Sequence, residues 1–173
     1  MNCEIKYQAW DKDKKEMFQV ERIDLDYETG NGVETVYLIP KKGEDDHPEV
    51  NICNVELREF TGKVLEDKTE IYDGDLIEAE YVETLHVWAG NTHKEVAREK
   101  ILFKVEKRNG CFGLVPPFGP TVWFHELWGF DGSIKSSSDY CSKHRYDFDK
   151  TYHRFTSFKK VGTIFENPEL LEG

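Results

Sequence analysis

The sequence predicts an all-β protein, and three observations carry that prediction. Short runs rich in β-branched and aromatic residues alternate in polarity along most of the chain. They are separated by turn dipeptides, Asp73-Gly74 and Asn109-Gly110 above all. No apolar stripe of period 3.6 is sustained anywhere, and no repeat of 20 to 50 residues is evident.

The elements follow in order. Ile5, Tyr7 and Ala9 alternate with Lys6, Gln8 and Trp10, and the charged run Asp11 to Lys15 turns the chain into Met17 to Val20, which predicts a hairpin. Asp24 to Gly32 is acidic and ends in Gly30-Asn31-Gly32. Val33 to Ile39 then resumes strand composition. Pro40 to Pro48 is a charged loop, and a strand is expected over Ile52 to Leu57. From Phe60 to Val82 the chain passes Thr61-Gly62, a polar loop through Asp67, Ile71-Tyr72 and the Asp73-Gly74 turn. Ile77, Ala79 and Tyr81 then share a strand face opposite Glu78 and Glu80, with Leu76 and Val82 spoiling the alternation.

Ala89 to Thr92 is a loop, and Val96 to Glu106 alternates with Ile101, Phe103 and Val105 on one side. Asn109-Gly110 predicts a type I′ turn, because both central residues need positive φ, with Cys111 to Val115 as the partner strand. Pro116 to Pro120 cannot continue a ladder, since proline lacks the N–H donor. Val161 to Phe165 closes the β structure, and Asn167 is placed to cap a short helical turn with Pro168 first in it. A single domain is expected from 173 residues, divisible at most into two small β subdomains near 83–95 or 116–120.

Composition narrows the function. The net charge is −11, and residues 1 to 100 hold 13 Lys/Arg against 25 Asp/Glu. Such a surface repels nucleic acid, which leaves only the later part as a nucleic-acid candidate. Cys3, Cys53, Cys111 and Cys141 form no C-x-x-C pair and read as thiols of a reducing cytosol. No basic segment precedes an apolar run at the start and no stretch of about 20 apolar residues occurs, so a membrane is not expected and a cytoplasmic location is.

Two segments carry candidate binding residues. In the run from Trp123 to Phe130, a strand would present large apolar groups on both faces, so Trp123, Phe124, Trp128 and Phe130 are interface candidates. A strand buried on both sides explains the same pattern. Between Lys143 and Lys160, cations and aromatics interleave; Lys143, Arg145, Tyr146, Tyr152, Arg154, Lys159 and Lys160 are the candidates for single-stranded nucleic acid. The alternative is that the aromatics face a core and the charges face water.

The chemistry of catalysis is missing. Cys141 and His144, with His125 or His153, lack the paired halves of a zinc site, and nothing orients the same pair as nucleophile and base. Asp11/Asp13, Asp24/Asp26 and Asp73/Asp75 read as solvated carboxylates, since Asp11-Lys12-Asp13 lacks the glycine and distal glutamate of a calcium loop. No phosphate-binding loop, dinucleotide fingerprint or G-x-S-x-G elbow is present. No catalytic residue, metal or cofactor is expected.

Three segments share one pattern: Ile5 to Asp11 with Met17 behind it, Phe60-Thr61-Gly62 followed by Ile71 to Ile77, and Val161 to Leu171. Together they resemble the YopX family of small proteins encoded by phages and prophages, over about a third of the chain. Two departures stand out. Asp67-Lys68 takes the place of the family's common Asn-Gly, and residues 116–160 are longer than the corresponding region. The resemblance implies an all-β, barrel-like fold, a bacterial cytoplasmic setting and self-association, and it implies no catalytic residue. Trp10, Phe60 and Tyr72 are then packing residues, Gly62 and Gly74 set backbone geometry, and Asp75 completes the motif. The expected function is a non-enzymatic homo-oligomer that binds a host or phage component. Single-stranded nucleic-acid or nucleotide binding through 143–160 is the alternative, and a structural part in a phage assembly is a third reading.

Overall fold

A computed structural model describes residues 6–25, 34–40, 42, 47–87, 92–117, 121–124, 140–141 and 151–172. For residues 25, 34, 85–87, 92, 93, 140, 141, 151–154 and 156 it describes the backbone alone. The chain divides into two units, Met1–Thr61 and Gly62–Gly173. All twelve strands pair antiparallel wherever their register is defined, and helix is confined to single 3-10 turns among the described residues.

The first unit contains β1 (Tyr7–Asp11), β2 (Glu16–Leu25), β3 (Glu34–Leu38), β4 (Glu49–Asn51) and most of β5 (Val55–Val64), in the order β4-β3-β2-β1-β5. The predicted first hairpin forms, with Ala9 opposite Phe18 and Trp10 opposite Met17. Its turn is built by Asp11, whose Oδ1 accepts from the amides of Asp13 at 3.0 Å and Lys14 at 2.9 Å. These bonds satisfy amides that the ladder leaves free, while Lys15 takes φ +56° to close the loop. Ala9, Phe18, Val36, Leu38 and Val55 make the core. Trp10 points to the other face and is only half-buried.

The expected strand over Ile52 to Leu57 starts later. Ile52–Asn54 is a 3-10 turn, because Asn51 Oδ1 accepts from the Cys53 amide at 2.9 Å and diverts the backbone before β5 begins.

The second unit takes the end of β5 with β6 (Glu70–Tyr72), then β7 (Asp75–Val87), β8 (Thr92–Arg108), β9 (Cys111–Val115), β10 (Val122–Trp123), β11 (Tyr140–Cys141) and β12 (Thr151–Thr163). Six of these form a sheet in the order β10-β9-β8-β7-β12-β11. The order is open, and no closed barrel is found among the described residues. Leu65, Ile71, Ile77, Ala79, Phe103, Val105, Leu114 and Phe124 form its core. Phe155 meets Phe103 edge-on with ring centroids 5.4 Å apart, a favoured aromatic geometry. The face predicted from Ile77 and Ala79 is the buried one, and Leu76 and Val82 are buried on the other face as well.

The turn signals are realised in the backbone. Asn109 and Gly110 adopt φ +51° and +80° between the paired Arg108 and Cys111, as a type I′ hairpin requires. In the 65–69 turn, Lys68 takes φ +70° where the family's pattern has glycine, and the turn is closed by Leu65 N to Thr69 O at 2.9 Å. After β12, Thr163 Oγ1 accepts from the Glu166 amide at 3.0 Å. The 3-10 turn Pro168–Leu171 follows with proline first, but Asn167 does not cap it through its side chain. A Cβ at Gly162 would instead collide with the Asn167 side chain, so that asparagine packs back onto the strand.

On either side of 88–91 the β7–β8 ladder pairs Glu83 with Ala97 through to Val87 with Thr92, and β9 and β10, which flank 116–120, pair with each other. The division at Thr61/Gly62 lies inside the continuous strand β5.

Candidate functional site

The most constrained polar cluster surrounds the Asp73-Gly74 turn. Asp75 is completely buried; its Oδ2 accepts from the Tyr72 amide at 2.9 Å, and its Oδ1 lies 2.9 Å from Lys160 Nζ. Lys160 sits 6.0 Å from the centroid of the Tyr72 ring, whose hydroxyl donates to Glu70 Oε2 at 2.7 Å. Gly74 donates to the Val105 carbonyl and accepts from the Ile164 amide, both at 2.9 Å. Three distant parts of the chain therefore meet at one turn. A carboxylate held by an amide and an ammonium away from solvent fixes structure.

Gly74 is required there. Its φ is +77°, and a Cβ would lie 3.2 Å from Ile164 Cδ1. Gly62 also has positive φ, +75°, but a Cβ there would meet nothing, so only its backbone geometry asks for glycine.

A second polar array covers the solvent face of β7 and β8. Arg98 holds Glu95 in a two-point contact, Nε to Oε1 and Nη2 to Oε2 both at 2.9 Å, and reaches Glu80 Oε2 at 2.6 Å. The Glu95 bonds, followed by Glu95 and Glu80 charge, hold its guanidinium pKa further above the usual range. Lys100 donates to Glu78 at 2.8 Å, and that bond raises its pKa. Exposed pairs of this kind contribute little to stability, because solvent screens both charges.

Of the aromatic interface candidates, Phe124 is a core residue, 3% exposed. Trp123 is half-buried on β10 opposite Gly113, where a Cβ would lie 3.1 Å from the indole Cε3. Gly113 thus makes the slot that the indole occupies. Trp128 and Phe130 lie outside the described residues.

The cation–aromatic segment divides similarly. Lys143, Arg145 and Tyr146 lie outside the described residues, and Tyr152 and Arg154 are placed only as backbone in β12, opposite Thr84 and Val82. Lys159 is exposed. Lys160 is bound to Asp75, while Phe155 and Phe158 pack against the core. Phe155 and Phe158 therefore face inward, while the side chains of Tyr146, Phe148 and Tyr152 lie outside the described residues.

Cys53 and Cys111 are exposed free thiols, and no cluster of three or more metal-ligating side chains occurs among the described residues. No described helix is long and apolar enough to cross a membrane. Two buried cations escape sequence reasoning. Arg58, 1% exposed, donates to Gln8 Oε1 at 3.0 Å, and Lys63 is buried enough to push its pKa below the usual lysine value. Both sit in β5 at positions of opposite parity, so strand alternation does not signal them together.

The geometry at the Asp73-Gly74 turn joins two of the three segments that share a pattern. A family model described as YopX protein matches residues 6–172. The chain belongs to the YopX family. The matched span includes the 116–160 region and Asp67-Lys68. The crystal structure of protein EF1440 from Enterococcus faecalis is similar, with 17% identity, a TM-score of 0.49, and coverage of 97% of this chain and 98% of that one. No curated protein matches.

Within the YopX motif, Asp75, Tyr72 and Gly74 act together as one turn with Ile164 from the closing segment. Phe60 lies in β5, with Lys6 Nζ 5.5 Å from its ring centroid.

Proposed function

We propose that this chain is a non-enzymatic binding protein, carried by a phage or prophage, that works as a homo-oligomer in the cytoplasm of a bacterial host. YopX family membership supports the phage and cytoplasmic setting. The observation that carries the binding reading is how the buried polar groups are engaged. Asp11 closes the β1–β2 turn, Arg58 bridges to Gln8, Asp75 ties the 72–75 turn to Lys160, and Thr163 holds the turn after β12. Each bond maintains the fold, as expected of a scaffold that presents a surface.

Nucleic-acid binding through 143–160 is the weaker reading, since Lys160 is ion-paired and Phe155 and Phe158 face the core. Native mass spectrometry of protein gently isolated from a bacterial host, with ultraviolet absorbance for co-purifying nucleic acid, tests both. A homo-oligomer without added mass is expected. Turnover of nucleotides that disappears on one buried polar substitution overturns the non-enzymatic reading. Salt-sensitive nucleic-acid binding that weakens when Arg145 and Arg154 are neutralised selects the alternative, and large symmetric particles without ligand select a structural part in an assembly.

A further inference from the structure

The Asn109-Gly110 turn carries the elements of a reaction that needs no enzyme. An asparagine side-chain amide is an electrophile close to the next residue's backbone nitrogen, and glycine, having no Cβ, leaves that nitrogen unhindered. Residues 107 to 111 are all exposed, so water reaches the pair. The β8–β9 ladder ends at Arg108–Cys111, and both turn residues lie beyond its last pair. Asp73-Gly74 offers the same arrangement and is closed to it: Gly74 is buried, and its amide donates to the Val105 carbonyl at 2.9 Å.

Backbone geometry decides when the reaction runs. With φ +51°, Asn109 occupies the left-handed region, where ψ is about +30° to +60°. Such a ψ turns the Gly110 nitrogen nearly trans to the Asn109 Cβ about the Cα–C bond. Closing a five-membered ring needs the two eclipsed. The hairpin that exposes the pair therefore also holds its reacting atoms apart, and the turn must leave the left-handed region before the ring forms.

We propose that Asn109 is a site of spontaneous deamidation locked by its own hairpin, reacting only when the end of β8–β9 frays. The Gly110 nitrogen gives its proton to water and attacks Asn109 Cγ; the N–Cγ bond forms, the Cγ–Nδ2 bond breaks, and the side-chain nitrogen takes up a proton and leaves as ammonia. Water then opens the cyclic imide at either carbonyl. Attack at the Cγ carbonyl gives aspartate on the original backbone, and attack at the main-chain carbonyl gives isoaspartate. Nothing is oxidised or reduced.

The two products differ for the fold. Aspartate before glycine still suits a type I′ turn. Isoaspartate puts an extra methylene carbon into the main chain, which the same two-residue turn does not accommodate. The register of β9 is then lost, and with it that of β10, whose Val122 and Trp123 pair with Leu114 and Gly113.

The full chain is kept in neutral buffer, in urea below its unfolding transition and in urea that unfolds it, then digested at intervals. Mass spectrometry and chromatography of the peptide holding position 109 separate amide, aspartate and isoaspartate, and localise the change away from Asn31-Gly32, which lies outside the described residues. Conversion at position 109 is expected in the folded chain at least about tenfold more slowly than in the unfolded one, because only the frayed fraction reacts, and faster in the intermediate urea. Asn109→Gln, whose ring would have six members, is expected to abolish the signal. Equal rates in folded and unfolded chain overturn the lock. No conversion in the folded chain over an incubation that fully converts the unfolded one overturns the site.

Discussion

Replacing Asp75 by alanine removes the acceptor of the buried Tyr72 amide and the partner of Lys160 in one step. An amide left without a partner in the interior costs about 1–3 kcal/mol. Loss of a fully buried ion pair partner costs about 3–5 kcal/mol, but the Lys160 side chain is 24% exposed and recovers part of its hydration, so about 1–2 kcal/mol is assigned to it. The expected loss is about 2–5 kcal/mol, a large share of the 5–15 kcal/mol typical of a folded domain. Urea unfolding followed by circular dichroism reads it directly. Asp75→Asn separates the two contributions, since it keeps an acceptor for Tyr72 and loses only the charge, and should cost about 1–2 kcal/mol. Lys160→Met combined with Asp75→Asn should then be less damaging than the two singles added together, because neither charge is left alone. An Asp75→Ala loss below about 1 kcal/mol would refute the assignment of this turn as the structural centre of the second unit.

Lys68→Gly should stabilise the fold by about 1 kcal/mol in the same urea assay, because φ +70° strains any side chain with a Cβ. Gly74→Ala should destabilise by more than Gly62→Ala does: both positions have positive φ, but only at Gly74 does the new methyl press on Ile164. The Thr69 amide, bonded to Asp67 Oδ1 at 2.9 Å, holds that carboxylate pKa below its usual value of 3.8. A depressed folded-state pKa contributes stability above the unfolded value that is lost as pH falls through the folded one, so Asp67→Asn should lower stability slightly at pH 7 and flatten its loss below about pH 4, where variant and wild type converge.

What the sequence made legible was local. Alternation of Ile77 with Ala79, and of Phe103 with Val105, marked buried faces because one side of a strand repeats every second residue. Asn109-Gly110 announced its turn because few residues accept two positive φ values in a row. The features that escaped depend on partners far along the chain. The 3-10 turn at Ile52–Asn54 has strand-like composition, and one asparagine bond decides it. Phe124 looks like a surface anchor until β9 and the core are placed around it. The unit boundary inside β5 carries no composition shift, since the strand is continuous while its pairing partners change. The role of Asp75 was visible as a motif position but not as chemistry, because Lys160 is 85 residues away in sequence.

The same locality explains why residues 94–100 of β8 read as an ordinary charged strand. Exposure on both faces from residue 94 to 100 means that this stretch buries little of its own surface. Backbone bonds to β7 and the pairs Arg98–Glu80 and Lys100–Glu78 hold it in place. An apolar edge of this length would pair with any exposed strand, and charges are the usual guard against it. The bulge at Val96 decides how those charges are arranged, because it sets Glu95 and Arg98 on one face of the sheet where a regular strand would place them on opposite sides.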